Sequence, residues 1–391
     1  MRPVPKVSCT APELGARDLR IDFFRGLALL WIFLNHIPGN TFSWLSNRNY
    51  GLSDATEIFV FLAGVSCAMA YGKLIDKQGL RAAWKSSLKR AFSIYHAHLV
   101  TAFVLLTLSM ALALSPAKND FLAYNLFELL VESIQAGDGS LLTSLFTLTY
   151  RPLNLDVLPL YVILIALCVP ALLLARKHPV WLALLSIALW MMARQGLNLP
   201  DFRPDHGWVF NPFAWQLLFV AGMIVSIHRN HIAPWLTRPL VQFSAWVSLI
   251  SCSTVVLSWY LEPLNAVIQA SIAGWLYPLS KTNLDVMRLL HFSAVLAVLL
   301  PRVPAGATWL THSLARHVAR CGRHSLEVFS AGIVLSFIGH AVLAEWSNSL
   351  VAQSLVSAAG CAILMRQAAW LERHANAKKR QHTSEPLHLA S

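Results

Sequence analysis

Arg25 opens and His36 closes the apolar stretch RGLALLWIFLNH, in an R-x10-H spacing. On a helix eleven positions make about three turns, so both side chains share a face, roughly 16 Å apart along the axis. Asp22 joins the same stripe one turn earlier. Ionisable groups are costly in hydrocarbon and are functional by default. The next apolar run begins SDATEIFVFLAG, with Asp54 and Glu57 spaced i and i+3 after Ser53. A histidine near a carboxylate that fixes its tautomer or steadies its charged form is equipment for general acid–base chemistry. Structural readings compete. Arg25 can snorkel to an interface while Asp22 neutralises it, and His36 can cap a helix end before Pro38 and Gly39. Ser53 or Asp54 can be an ordinary N-cap, which accounts for one carboxylate better than for two.

The elements that must position these groups are membrane spans. The 391 residues are 56% hydrophobic and only 13% charged. Apolar runs near 21–37, 53–72, 91–114, 155–175, 179–195, 212–228, 240–260, 287–301, 325–344 and 349–370 predict about ten transmembrane helices. The expected fold is an all-α polytopic membrane protein: residues 1–18 as an N-terminal segment, 19–374 as the membrane domain, and 375–391 as a disordered tail. Residues 1–18 lack the pattern of a cleaved signal, so the first span is expected to stay as an anchor. The net charge of +12 is spread over loop after loop, which argues for topology and against a nucleic-acid partner. By the positive-inside rule both termini are expected in the cytoplasm, with Arg25 toward the inner side and His36 toward the outer. Six cysteines without CxxC pairing predict free thiols and no metal site. Residues 115–154, with Asp120, Glu128, Glu132 and Asp138 among Leu and Phe, are expected to lie along the outer surface. No internal repeat is visible, which weighs against a transporter.

Further polar groups gather at span ends. Lys73, Lys77, Arg81, Lys85 and Lys89 recur every four residues, a basic stripe if helical. It reads either as retention on the cytoplasmic side with anionic lipid contact, or as a dock for a phosphorylated donor. Arg323, His324, Ser325 and Glu327, at the inner start of a later span, read either as positive-inside placement with helix capping or as a donor contact. On the outer side stand Arg151, Asp156 and Tyr161, then Trp208, Asn211, Trp215 and Gln216, then Lys281, Arg288 and His291. Trp44, Trp208, Trp215 and Trp275 are candidates for a sugar-stacking surface, although aromatics are ordinary at interfaces.

RDLRIDFFRGLALLWIFLNHIPGN followed by LSDATEIFVFLAGVSCAMAYGK resembles the opening of OpgC, the C protein of osmoregulated periplasmic glucan biosynthesis. LDVLPLYVIL, NPFAWQLLFVAGM, KTNLDVMRLLHF and GRHSLEVFSAGIVLS resemble the same family in the same order. The R-x10-H spacing also resembles the signature of the wider acyltransferase-3 superfamily. The resemblance implies ten transmembrane helices in the bacterial inner membrane and transfer of succinyl groups to hydroxyls of periplasmic glucans, with succinyl-CoA as donor substrate and no permanently bound cofactor. It implies His36 as the catalytic histidine and Arg25 as the signature arginine, with Asp54 and Glu57 in the matching second-helix motif. Relatives carry an acid just before the histidine, where this chain has Asn35, which shifts weight to Asp54 or Glu57.

The expected mechanism brings an acyl-pantetheine arm from the basic inner face, past Arg25, to His36 as general base on a glucosyl hydroxyl. Lys281, Arg288 or His291 are candidates for the oxyanion or the succinyl carboxylate. A covalent acyl-enzyme through Ser53 or His36 is an open variant. The rival from another class is a glycan or lipid-linked sugar flippase whose polar stripe lines a path. Self-association into a homo-oligomer is left open.

Overall fold

The computed structural model describes residues 18–113, 137, 140–152, 154–203, 206–276 and 279–384. Fifteen α-helices follow one another in these residues: α1 Leu19–Asn35, α2 Ala55–Gln78, α3 Leu80–Ala113, α4 Ser140–Phe146, α5 Val157–Ala166, α6 Cys168–Lys177, α7 Pro179–Arg194, α8 Pro212–Ile227, α9 Arg229–Leu236, α10 Pro239–Ser258, α11 Glu262–Leu276, α12 Val286–Arg302, α13 Ser313–Arg323, α14 Ser325–Glu345 and α15 Leu350–Ser384.

Each apolar run of the sequence is helical. Five helices, α2, α3, α10, α14 and α15, are long and apolar enough to cross a bilayer, and the pair α5 and α6 makes a sixth if counted as one bent span. That pair bends by 55°. Pro170 lacks the N–H that would bond the carbonyl of Ala166, so the helix breaks there. The Ser87 hydroxyl donates to the Ile165 carbonyl in the break. α7 and α8 are shorter apolar helices.

Local signals set the ends that matter. Asp18 caps α1, its carboxylate accepting from the Arg20 N–H at 3.0 Å. α1 stops at Asn35, and the chain turns through Pro38 and Gly39, the glycine at φ 71°. α2 opens with a complete capping box and ends at Gly79, at φ 83°. That break splits the basic stripe. Lys73 and Lys77 sit on α2, while Arg81, Lys85 and Lys89 sit on α3, so the four-residue spacing does not describe one helical face.

The core forms where backbones approach closely. Gly26 of α1 meets the Val318 carbonyl and Gly322 of α13, and Gly322 meets the Asp22 carbonyl in return. Gly64 of α2 and Gly222 of α8 face the carbonyls of Phe219 and Phe61 in the same manner. Small residues at such crossings let helices pack without a hydrophobic drive between them. α10 lies at the periphery, with Leu240, Phe243 and Ile250 exposed, as an apolar solvent allows.

Residues 375–384, expected in a disordered tail, continue α15 as helix to Ser384. Asp120, Glu128, Glu132 and Asp138 lie outside the described residues. α4 and α11 are helices that hydropathy did not signal as spans.

Candidate functional site

Two polar sites lie along α1. The first surrounds Arg25, toward the end of the bundle that holds Gly79. A cavity of about 310 Å³ is lined there by Arg25, Arg90, Arg323, Ser66, Cys67, Ser325 and Tyr71, with Phe59, Tyr161 and Phe329 among its apolar walls. Arg25 Nη1 donates to Ser66 Oγ at 3.3 Å and Nη2 to Ser325 Oγ at 2.7 Å. The guanidinium lies 5.7 Å over the Phe59 ring, and its buried Nε has no partner. A guanidinium met by hydroxyls, in a cavity without an Asp or Glu in its lining, is a site for an anion.

Asp22, read from the sequence as a neutraliser of Arg25, also pairs with Arg323 Nε at 3.1 Å. Arg323 also bonds Glu372 of α15, which holds Arg320 at 2.7 Å. These bridges tie α13 to α1 and α15. Tyr161, expected with the outer groups, lines this cavity beside Arg25. Lys73, Lys77, Arg81 and Lys85 are exposed and take no part in the lining, and His324 serves as the C-cap of α13. The basic residue of α3 that does reach the cavity is Arg90, which sequence reasoning missed. Its signal was position: it lies one residue past the four-residue series.

The second site is at the far end of α1. His36 is the C-cap of that helix, its backbone N–H bonded to Ile32 and Phe33 carbonyls at 3.1 and 3.3 Å. The half-buried ring keeps Nδ1 enclosed without a partner. Asn35, just before it, accepts from Ser46 Oγ at 2.9 Å and is occupied as a loop staple.

Both second-helix carboxylates are engaged. Asp54 Oδ1 accepts from the Thr56 N–H at 2.8 Å, and Glu57 Oε2 accepts from the Asp54 N–H at 2.9 Å. The capping reading is thus realised, and the remaining oxygens do more. Lys281 Nζ reaches Asp54 Oδ2 at 2.6 Å, Arg288 Nη2 reaches the same oxygen at 3.3 Å, and Arg288 Nε reaches Glu57 Oε1 at 2.7 Å. Two acids and two bases form an ion-paired quartet at the His36 end. Among the described residues no carboxylate is hydrogen-bonded to His36, so the expected His–carboxylate relay is electrostatic here.

The quartet has its own scaffold. Trp215 Nε1 donates to the Lys281 carbonyl at 3.0 Å, Trp190 Nε1 to the Leu284 carbonyl at 2.9 Å, and the Asn211 N–H to the Thr282 carbonyl at 3.3 Å. Asn211 also bonds Asn283 Oδ1 at 2.9 Å. Leu284 is held at φ 50°, a strained conformation for leucine that these contacts over-determine. Beyond it His291 Nδ1 accepts from the Ser53 N–H at 3.2 Å and contacts Ser53 Oγ at 2.7 Å. Gly51 is required beside that ring, because a Cβ would collide with it.

Several outer candidates are structural. Trp215 is fully buried and Trp208 nearly so, which removes both from a stacking surface. Arg151 lies 4.9 Å over Trp208 and is pinned by Asp156 and Asp201. Gln216 exchanges hydrogen bonds with Ser186, at 2.7 and 2.8 Å. Trp275 lies in α11, and nothing further is described of its side chain.

The cavity does not reach the quartet. Phe59 stands between them on α2, with Tyr161 at 5.4 Å and Phe329 stacked at 6.4 Å. None of His36, Asp54 and Glu57 lines the cavity.

No curated protein and no solved structure matches the chain. The family model described as OpgC protein matches residues 17–376, nearly the whole sequence. Membership points to an acyltransferase-type enzyme of osmoregulated periplasmic glucan biosynthesis, in agreement with apolar helices of bilayer length. The chain belongs to the OpgC family.

Proposed function

We propose that the protein is an O-acyltransferase of the bacterial inner membrane, moving a succinyl group from cytoplasmic succinyl-CoA to hydroxyls of a periplasmic glucan. In this reading it has ten crossings, both termini are cytoplasmic, the fold is acyltransferase-3-like, and the Arg25 cavity opens inward. The observation that carries it is the pairing along one helix of an arginine-lined cavity at Arg25 with a half-buried imidazole at His36, whose Nδ1 has no partner among the described residues.

The donor's phosphates and thioester arm approach a cavity lined by three arginines. At the other end His36 takes the proton of a glucosyl hydroxyl as its oxygen attacks the thioester carbonyl. The tetrahedral intermediate collapses with formation of the C–O ester bond and cleavage of the C–S bond. The proton passes from His36 to the departing CoA thiolate. Asp54 favours the transient imidazolium, and Lys281, held on Asp54, faces the developing oxyanion. Arg288 is committed to both carboxylates and acts by positioning Asp54.

Incubation of the purified protein with succinyl-CoA or acetyl-CoA and periplasmic glucan, followed by mass analysis, tests this directly. A succinyl increment on the sugar is expected. Movement of glycan across proteoliposomes with no acyl-CoA consumed would replace the reading with that of a flippase.

A further inference from the structure

The loop of residues 36–54 joins His36 to Asp54 and carries Trp44 and Tyr50, which cluster with Tyr260. Trp44 packs against Tyr260, which follows α10, with ring centres 4.6 Å apart and planes tilted by 56°. Its other neighbour is Tyr50, at 6.1 Å and nearly edge-on. Tyr50 and Tyr260 are about half exposed, at 47% and 53%, so the cluster offers open ring faces.

We propose that Trp44, Tyr50 and Tyr260 form the subsite that holds a pyranose ring of the acceptor glucan beside His36. The inference rests on the acyltransferase reading and names its acceptor site. A sugar ring presents C–H bonds on one face, and these carry partial positive charge toward the negative face of an aromatic ring. Oriented aromatics with exposed faces hold such a ring, while its hydroxyls remain free for reaction.

Two staples argue for this occupant over a lipid interface. Ser46 Oγ donates to Asn35 Oδ1 at 2.9 Å, which fixes the loop to the residue before His36. Asn47 Nδ2 donates to the Ser53 carbonyl at 3.2 Å, which fixes it to the residue before Asp54. The cluster is thus anchored to both ends of the chemistry. Internal bonds stiffen it further. Asn49 Nδ2 donates to the Ser43 carbonyl at 3.0 Å, the Tyr260 hydroxyl donates to Asn49 Oδ1 at 3.2 Å, and Ser253 Oγ donates to the Tyr50 carbonyl at 2.6 Å. An interfacial anchor needs no such registration with a catalytic turn. A subsite does, because positioning a hydroxyl to within a fraction of an ångström is what makes it react.

The test measures both binding and turnover in nanodiscs. Saturation-transfer NMR with a linear β-glucan oligosaccharide and no acyl donor should show contact to wild type and its loss in Trp44→Ala and Tyr260→Ala. The acceptor KM should rise about tenfold in Trp44→Ala, less in Trp44→Phe, with the donor KM unchanged. Trp181→Ala, an exposed aromatic on α7, is the control and should leave both intact. Unchanged sugar binding in Trp44→Ala and Tyr50→Ala overturns the proposal, as does an equal loss in Trp181→Ala, which would mark a general interfacial effect. Sugar binding without acyl transfer in wild type would leave the subsite standing while removing the acyltransferase reading.

Discussion

Arg25 donates to Ser66 Oγ at 3.3 Å, and this bond sets the register of α1 against α2. The two helices run in opposite directions, so eleven residues on from Arg25 and eleven back from Ser66 bring His36 level with Ala55. Asp54 and its quartet therefore stand beside His36, about 16 Å along the axis from Arg25. One bond between an arginine and a serine aligns the donor side and the acceptor side of the proposed reaction.

His36→Ala should lower ester formation on glucan by about 10²–10⁴-fold while folded protein remains in membranes. Mass analysis of glucan from cells carrying the variant checks this. Normal modification would remove His36 from the chemistry.

Arg25→Ala and Arg90→Glu should each raise the KM for acyl-CoA on the order of tenfold or more, because both line the cavity. Arg81→Glu with Lys85→Glu should change it little, since both are exposed and outside the lining. Donor-dependence curves on the purified variants decide between the cavity and the surface stripe.

Glu57 is fully buried and Arg288 nearly so. Glu57→Gln leaves Arg288 with Asp54 as its remaining charge partner and should cost about 1–3 kcal/mol. Glu57→Leu combined with Arg288→Met should recover most of that loss. Thermal unfolding in detergent measures both. Equal melting temperatures for Glu57→Gln and wild type would mean the quartet is not coupled to folding.

Phe59 separates the cavity from the quartet, and Cys67 lines the cavity. In a variant retaining only Cys67 as thiol, a membrane-impermeant maleimide added at the His36 side should leave it unlabelled. Adding Phe59→Ala should open labelling from that side. Labelling without the substitution would show that the aromatic group is no barrier.

Much of this protein is written along the chain. The helices follow from apolar runs, because a backbone in hydrocarbon must satisfy its own hydrogen bonds. The stripe from Arg25 to His36 follows from helical periodicity, and the capping box at Asp54 and Glu57 follows from residue types three positions apart. Partners did not follow. Asp22 pairs with Arg323 as well, Arg90 takes the place of Arg81 at the cavity, and Tyr161 lines the cavity beside Arg25. Trp208 and Trp215 looked like surface aromatics and became scaffold, while Tyr50 and Tyr260 emerged beside Trp44. Sequence encodes what is local: hydropathy, period and cap. Which charge meets which is decided by helix packing, at close approaches such as Gly26 with Gly322 and Gly64 with Gly222, hundreds of residues apart in one case, and no local signal carries that information.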